Sequence, residues 1–138
     1  MQIRLDRKKL LLITYFLCCI LPAFFKWFYI DPDVSYWTGM MIAEPLFVAT
    51  LLYAFALLIT DFKYILVVGI LAHLILLGAC LNCFFSFPLL ANIASERDLV
   101  FSLFAARPLY WVSLGLEFFH LALFATTEIT YQRLKQHK

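Results

Sequence analysis

Four apolar stretches, each about as long as a lipid bilayer is thick, constrain this chain more than any other feature. They cover residues 10–30, 37–59, 64–85 and 108–129. A hydrocarbon core of ~30 Å is crossed by about 20 residues in α-helix, so each stretch supplies one crossing. A membrane β-barrel would need many alternating segments of about ten residues, and the sequence has none. Inside lipid every backbone polar group has to be satisfied within the segment itself, which leaves helices. The reading is therefore all-α: a polytopic membrane protein, one domain over residues 1–138, folded as a four-transmembrane-helix bundle.

Composition agrees. Of 138 residues, 64% are hydrophobic and 14% charged, against about half and about a quarter in soluble domains. The net charge of +2 and the lack of a basic block argue against a nucleic-acid partner. The first stretch has the basic start of a signal peptide, but bulky "KWFYIDPDV" follows where a small-residue cleavage site would lie, so it reads as a permanent span. Arg4, Arg7, Lys8, Lys9, Lys63, Arg133, Lys135 and Lys138 fall on one side of these spans, and only Lys26, Arg97 and Arg107 on the other. The positive-inside rule then predicts both termini in the cytoplasm. Tyr29, Tyr36, Trp37, Tyr110 and Trp111 read as an aromatic belt at the outer surface.

"DPDVS" and "TDFKY" are short connections, and the second makes its flanking helices antiparallel neighbours. The long connection is 87–107. Within it "SERDLVFSLFAAR" opens on a weak capping-box variant, Ser95 and Asp98. Leu99, Phe101, Leu103 and Phe104 then set an apolar face against Glu96, Arg97, Asp98 and Arg107, which fits a short interfacial helix on the outer leaflet between the third and fourth spans, with a membrane-hugging loop as the alternative.

Four ionisable residues lie within the spans: Glu44, His73, Glu117 and His120. At ~1.5 Å per residue the two histidines come out level, with Glu117 one turn further out and Glu44 beyond it. Glu117 and His120 are three apart and share a helix face, continued by Ser113, Phe124 and Thr127. The face of His73 carries Gly69 and Cys80. Polar groups in a bilayer turn inward and seek partners, so the four are expected to face the bundle interior.

Three uses compete for this cluster: interhelical packing, a pathway for protons or a small solute, and a metal site. The last has one Glu-x-x-His motif where di-metal bundles need two and further acids, so no metal ligand set is assigned. Glu44 precedes Pro45, which cannot donate to the Met41 carbonyl and is expected to kink the second helix; Pro22 likewise frees the carbonyl of Cys18. Cys80 and Cys83 form a C-x-x-C near the outer end of the third span and resemble the redox pair of quinone-linked disulfide-forming enzymes, but no outer loop carries a second pair. Buried thiols in apolar surroundings are poorly reactive. Nothing in the chain calls for a cofactor.

"AEPLFVATLLYAF", at the head of the second stretch, is similar to the second helix of immunity proteins against pore-forming colicins of the A, B and N type. "SERDLVFSLFAARPLYWVSLGLEFFHLALF" resembles their last outer segment and fourth helix, with an acid and a histidine inside the span, and the basic tail "RLKQHK" also fits. The resemblance covers roughly residues 44–138. It departs at Ala43-Glu44-Pro45, where Thr-Ala-Pro is usual, and in the longer third connection. It implies a small, non-enzymatic inner-membrane protein that stops a toxin's pore-forming domain within the bilayer. Ser95, Glu96, Arg97, Asp98 and Arg107 are then candidate partner contacts. An accessory subunit of another membrane protein, a small-solute or proton transporter, and a thiol oxidoreductase using Cys80 and Cys83 are the alternatives.

Overall fold

The computed structural model describes residues 2–30, 35–90 and 99–138. Helix dominates. Helix α1 (Gln2–Tyr15) runs into a π-helical turn (Phe16–Ile20) and a 3-10 turn (Leu21–Phe24). Strands β1 (Lys26–Ile30) and β2 (Ser35–Thr38) follow, then a 3-10 turn (Gly39–Ile42) and the helices α2 (Ala43–Leu58), α3 (Phe62–Leu90), α4 (Leu99–Ala105) and α5 (Pro108–Gln136). Among the described residues three helical runs are long and apolar enough to cross a membrane: Gly39–Leu58, Phe62–Phe87 and Pro108–Gln136.

The first stretch departs from the expected span over 10–30, and Pro22 supplies the reason. It has no N–H to give the Cys18 carbonyl, so regular α-helix cannot pass through it. The turn before it widens instead, with the Leu21 N–H bonded to the Phe16 carbonyl. The helix ends at Phe24, where Phe25 turns extended (φ −95°, ψ 166°). "KWFYI" and "SYWT", rich in the aromatic residues that favour strands, pair antiparallel with a register shift between Lys26 and Phe28. The chain is thus not wholly helical, and residues 26–30 belong to a hairpin rather than to a span.

This hairpin is tied to the start of α5. Phe28 makes an antiparallel bridge with Ala106, and the Arg107 N–H donates to the Trp27 carbonyl at 2.7 Å. Trp27 is fully buried; its Nε1–H donates to the Pro22 carbonyl at 2.9 Å. Gly39 is packed under it, and a Cβ there would lie 2.5 Å from the indole and 2.6 Å from the Ala23 Cα. Tyr110 is also buried, with its hydroxyl donating to the Cys80 carbonyl at 2.9 Å, so it is a core residue and not part of an aromatic belt. Trp111 is exposed.

Pro45 sits where α2 begins, just after Ile42 leaves helical geometry (φ −106°, ψ 26°). It falls in the first turn of that helix, directly after the 3-10 turn, where backbone N–H groups have no helical acceptor to lose. Asp61 Oδ1 accepts from the Lys63 N–H at the start of α3 and closes the short turn that lays α2 against α3. α3 continues past Phe85 to Leu90. α4 turns Ser102 and Ala105 inward and leaves Val100, Leu103 and Phe104 exposed. At the opposite end from the hairpin, Arg7 of α1, Phe62 of α3 and Glu128 of α5 line one small cavity, so the start of the chain, the α2–α3 turn and the end of α5 lie together.

Candidate functional site

The inward face of α5 is set by Tyr110, Ser113, Glu117, His120, Phe124 and Glu128, all buried and spaced three or four apart. On α3 the matching face carries Gly69, Ala72, His73, Leu76 and Cys80. Where these faces meet, His73 Nε2 lies 2.7 Å from His120 Nδ1, with the rings nearly parallel (16°).

The direction of each proton in this pair follows from its outer partners. His73 Nδ1 lies 2.6 Å from the Gly69 carbonyl, which can only accept. His73 therefore carries its proton on Nδ1 and presents a bare Nε2, so His120 Nδ1 is the donor. With both rings neutral, His120 Nε2 can only accept, so Thr14 Oγ1 at 3.1 Å can donate to it, while the Leu11 carbonyl at 3.3 Å is a partner only for a protonated Nε2. The Thr14 hydroxyl also has the Leu10 carbonyl at 2.8 Å and the Leu11 carbonyl at 3.1 Å as acceptors. Threonine, two imidazoles and a glycine carbonyl thus form one directed chain joining α1, α5 and α3. It ends on a main-chain carbonyl, which passes no proton onward. The arrangement can hold one additional proton at His120 Nε2, facing Leu11 O, but offers that proton no exit through His73.

Aromatic rings enclose the pair. Tyr15 and Tyr53 stack at 4.4 Å, and both meet the two imidazoles edge-on. Phe124 stacks on His73 at 5.5 Å. Tyr53 OH donates to Leu11 O at 3.4 Å, and Tyr15 OH and Thr50 Oγ1 are 3.1 Å apart. Thr50 gives its proton to the Leu46 carbonyl (2.7 Å), so Tyr15 is the donor to it.

Glu117 is 1% exposed. It shares a face with His120 but bonds elsewhere: the Cys80 thiol donates to its Oε1 at 3.1 Å. Its Oε2, and Ser113 Oγ one turn away, are buried without a hydrogen-bond partner among the described residues. Cys83, one turn beyond Cys80, points at Met41 Sδ, 4.0 Å away. Both thiols are free and almost fully covered, at 1% and 2% exposure.

Glu44 does not join this cluster. It is exposed, in the first turn of α2. The α-helix proper begins at Ala43, and an acid in the first turn is favoured by the helix dipole. Of the candidate partner contacts, Ser95, Glu96, Arg97 and Asp98 lie outside the described residues. Arg107 is exposed, with its guanidinium 5.5 Å from the centre of the Tyr29 ring. Among the described residues no group of three His, Cys, Asp or Glu side chains is placed to hold a metal ion.

The sequence reading missed the far end of the same face. Continuing the α5 stripe four residues past Phe124 reaches Glu128, not Thr127. Glu128 Oε2 pairs with Arg7 Nη1 at 3.3 Å, at 1% and 7% side-chain exposure, and the Arg7 guanidinium lies 3.8 Å above the Tyr131 ring. Comparison of the chain with protein families, with curated proteins and with solved structures gives no match.

Proposed function

We propose that this chain is a non-enzymatic bacterial inner-membrane protein that acts by helix–helix recognition within the bilayer, and that its target is the membrane-inserted pore domain of a bacteriocin. In this reading the helical segment 2–24 is a fourth span beside the three longer ones. Both termini are cytoplasmic, and α4 lies at the outer leaflet. The observation that carries the reading is how the intramembrane polar groups are used. His73 pairs with His120 and Cys80 with Glu117 across α3 and α5, Thr14 reaches His120 from α1, and His73 is fixed on its own helix by the Gly69 carbonyl. A transporter or enzyme would aim such groups into a common cavity. Here both histidines, Cys80 and one oxygen of Glu117 are used in fixing how α1, α3 and α5 pack, which leaves recognition to outward faces. Val100, Leu103 and Phe104 of α4, with Trp111 and Val112 at the head of α5, supply an exposed apolar surface next to the hairpin.

The test is protection. The chain is expressed in a bacterium sensitive to pore-forming bacteriocins of the A, B and N type. Survival is compared with that against a nuclease bacteriocin imported through the same receptor. Protection confined to a pore-former is expected, and Leu103→Asp with Phe104→Asp should remove it at unchanged protein level, while Glu117→Gln keeps it. A fully accumulated, membrane-inserted chain that protects against none of the pore-formers refutes the proposal.

A further inference from the structure

At the end of the molecule away from the hairpin, α5 turns Thr126, Thr127, Thr130, Tyr131 and Leu134 toward Arg7, forming an open groove of about 320 Å³. Two features of this groove are unusual for a membrane helix. Thr50 returns its hydroxyl proton to the Leu46 carbonyl of the preceding turn, the ordinary way to satisfy a threonine in lipid, and Thr14 has His120 Nε2 at 3.1 Å. The hydroxyls of Thr126, Thr127 and Thr130 have no such bond, nor any other among the described residues. Arg7 is 8% exposed, yet its Nε has no hydrogen-bond partner, and its contact to Glu128 lacks hydrogen-bond geometry at Nη1. A covered guanidinium with an unused donor and three idle hydroxyls side by side describes a place for an anionic oxygen ligand.

Charge narrows the ligand. The segments that meet at this end carry Arg4, Arg7, Lys8, Lys9, Lys63, Arg133, Lys135 and Lys138 in sequence, against Asp6, Asp61 and Glu128. The groove is open at the side of the helix, and its wall ends on exposed Leu134. A phosphate that stays joined to acyl chains fits that geometry: the headgroup reaches Arg7 and the threonines while its tails stay in lipid. We propose that this groove seats the headgroup of an anionic phospholipid, which holds the start of α1 against the end of α5. The inference needs the chain to lie in a bilayer but is independent of any toxin partner.

The experiment uses the full chain purified in neutral detergent. Bound lipid is read by native mass spectrometry, and thermal stability is read on adding phosphatidylglycerol, phosphatidylcholine with the same acyl chains, or inorganic phosphate. Phosphatidylglycerol should bind about tenfold more tightly than phosphatidylcholine, the scale of one hydrogen bond to a charged group, and should raise the melting temperature. Thr126→Val with Thr130→Val removes two hydroxyls without changing shape and should abolish that preference while leaving the lipid-free melting temperature unchanged. Arg7→Gln alone removes the ion pair to Glu128 and is liable to misfold; Arg7→Gln with Glu128→Gln keeps the pair neutral and should also lose the preference. Equal binding of both lipids, or an unchanged preference in the threonine variant, overturns the proposal. Stabilisation by inorganic phosphate equal to that by phosphatidylglycerol overturns the lipid assignment.

Discussion

Replacing Gly69 by alanine adds one methyl group at the centre of the bundle, and the cost can be worked from its neighbours. The new Cβ would stand 2.1 Å from Phe124 Cζ and 2.3 Å from Cε1. Ordinary carbon contact begins near 3.5 Å, so the ring has to withdraw by about 1.4 Å. Phe124 has no room to do so: it is fully buried, stacked on His73 and edge-on to Tyr53 at 5.5 Å. Overpacking of this kind costs about 1–3 kcal/mol. The same substitution has two controls within the fold. Gly78 and Gly115 have open space where a Cβ would go, so alanine there should be neutral or gain up to about 1 kcal/mol from helix preference. The assay is the folded fraction across a graded sodium dodecyl sulfate titration in mixed micelles. Gly69→Ala should lie below Gly78→Ala by about 1–3 kcal/mol, roughly a 5- to 150-fold change in the unfolding equilibrium. Phe124→Leu should restore part of that loss when combined with Gly69→Ala. Equal stability of the Gly69 and Gly78 variants would refute the packing described for α3 and α5.

His120→Leu leaves His73 Nε2 without its donor and frees Thr14, so it should lower stability by about 1–2 kcal/mol in the same titration; Glu117→Gln keeps an acceptor for the Cys80 thiol and should leave the folded amount unchanged. Cys80 and Cys83 should resist a maleimide in the folded protein and react rapidly after denaturation, as followed by mass; rapid labelling in the native state would contradict their burial. Gly39→Ala drives a methyl group into the Trp27 ring and the Ala23 backbone and should reduce the folded fraction more than Gly115→Ala does. Reporter fusions after Lys138 and near Ser95 should report opposite sides of the membrane, with the carboxy terminus cytoplasmic.

The length of the apolar stretches made the helical core legible from sequence, because lipid permits few alternatives to an apolar helix of about 20 residues. The level match of His73 and His120 was likewise computable, since two straight helices and a rise per residue suffice. The hairpin was not legible. "KWFYI" is as apolar as a span, and only Pro22, by breaking the helix upstream, releases it to pair with "SYWT". Glu44 was misplaced because its depth was counted along an unbroken helix, whereas α2 begins only at Ala43. Thr14 was invisible as a site residue because its contribution depends on α1 lying beside α5, a pairing that no local pattern in either segment encodes.

That pairing has a consequence in time. The α2–α3 hairpin can form as soon as its own residues are made, and Thr50 and Tyr53 of α2 can then meet the first segment, but its partner on α5 is made last. Thr14 waits 106 residues for His120, and Leu11 waits 109 for the same side chain. At ordinary synthesis rates of 5–20 residues per second that is roughly 5–20 s. During this interval the amino-terminal helix, with its π-turn and proline, has Thr50 and Tyr53 of α2 to hold it but not yet α5. The bundle is a ring whose clasp is fitted last, so a ribosome that stalls before α5 leaves the first helix without the surface it was made to meet.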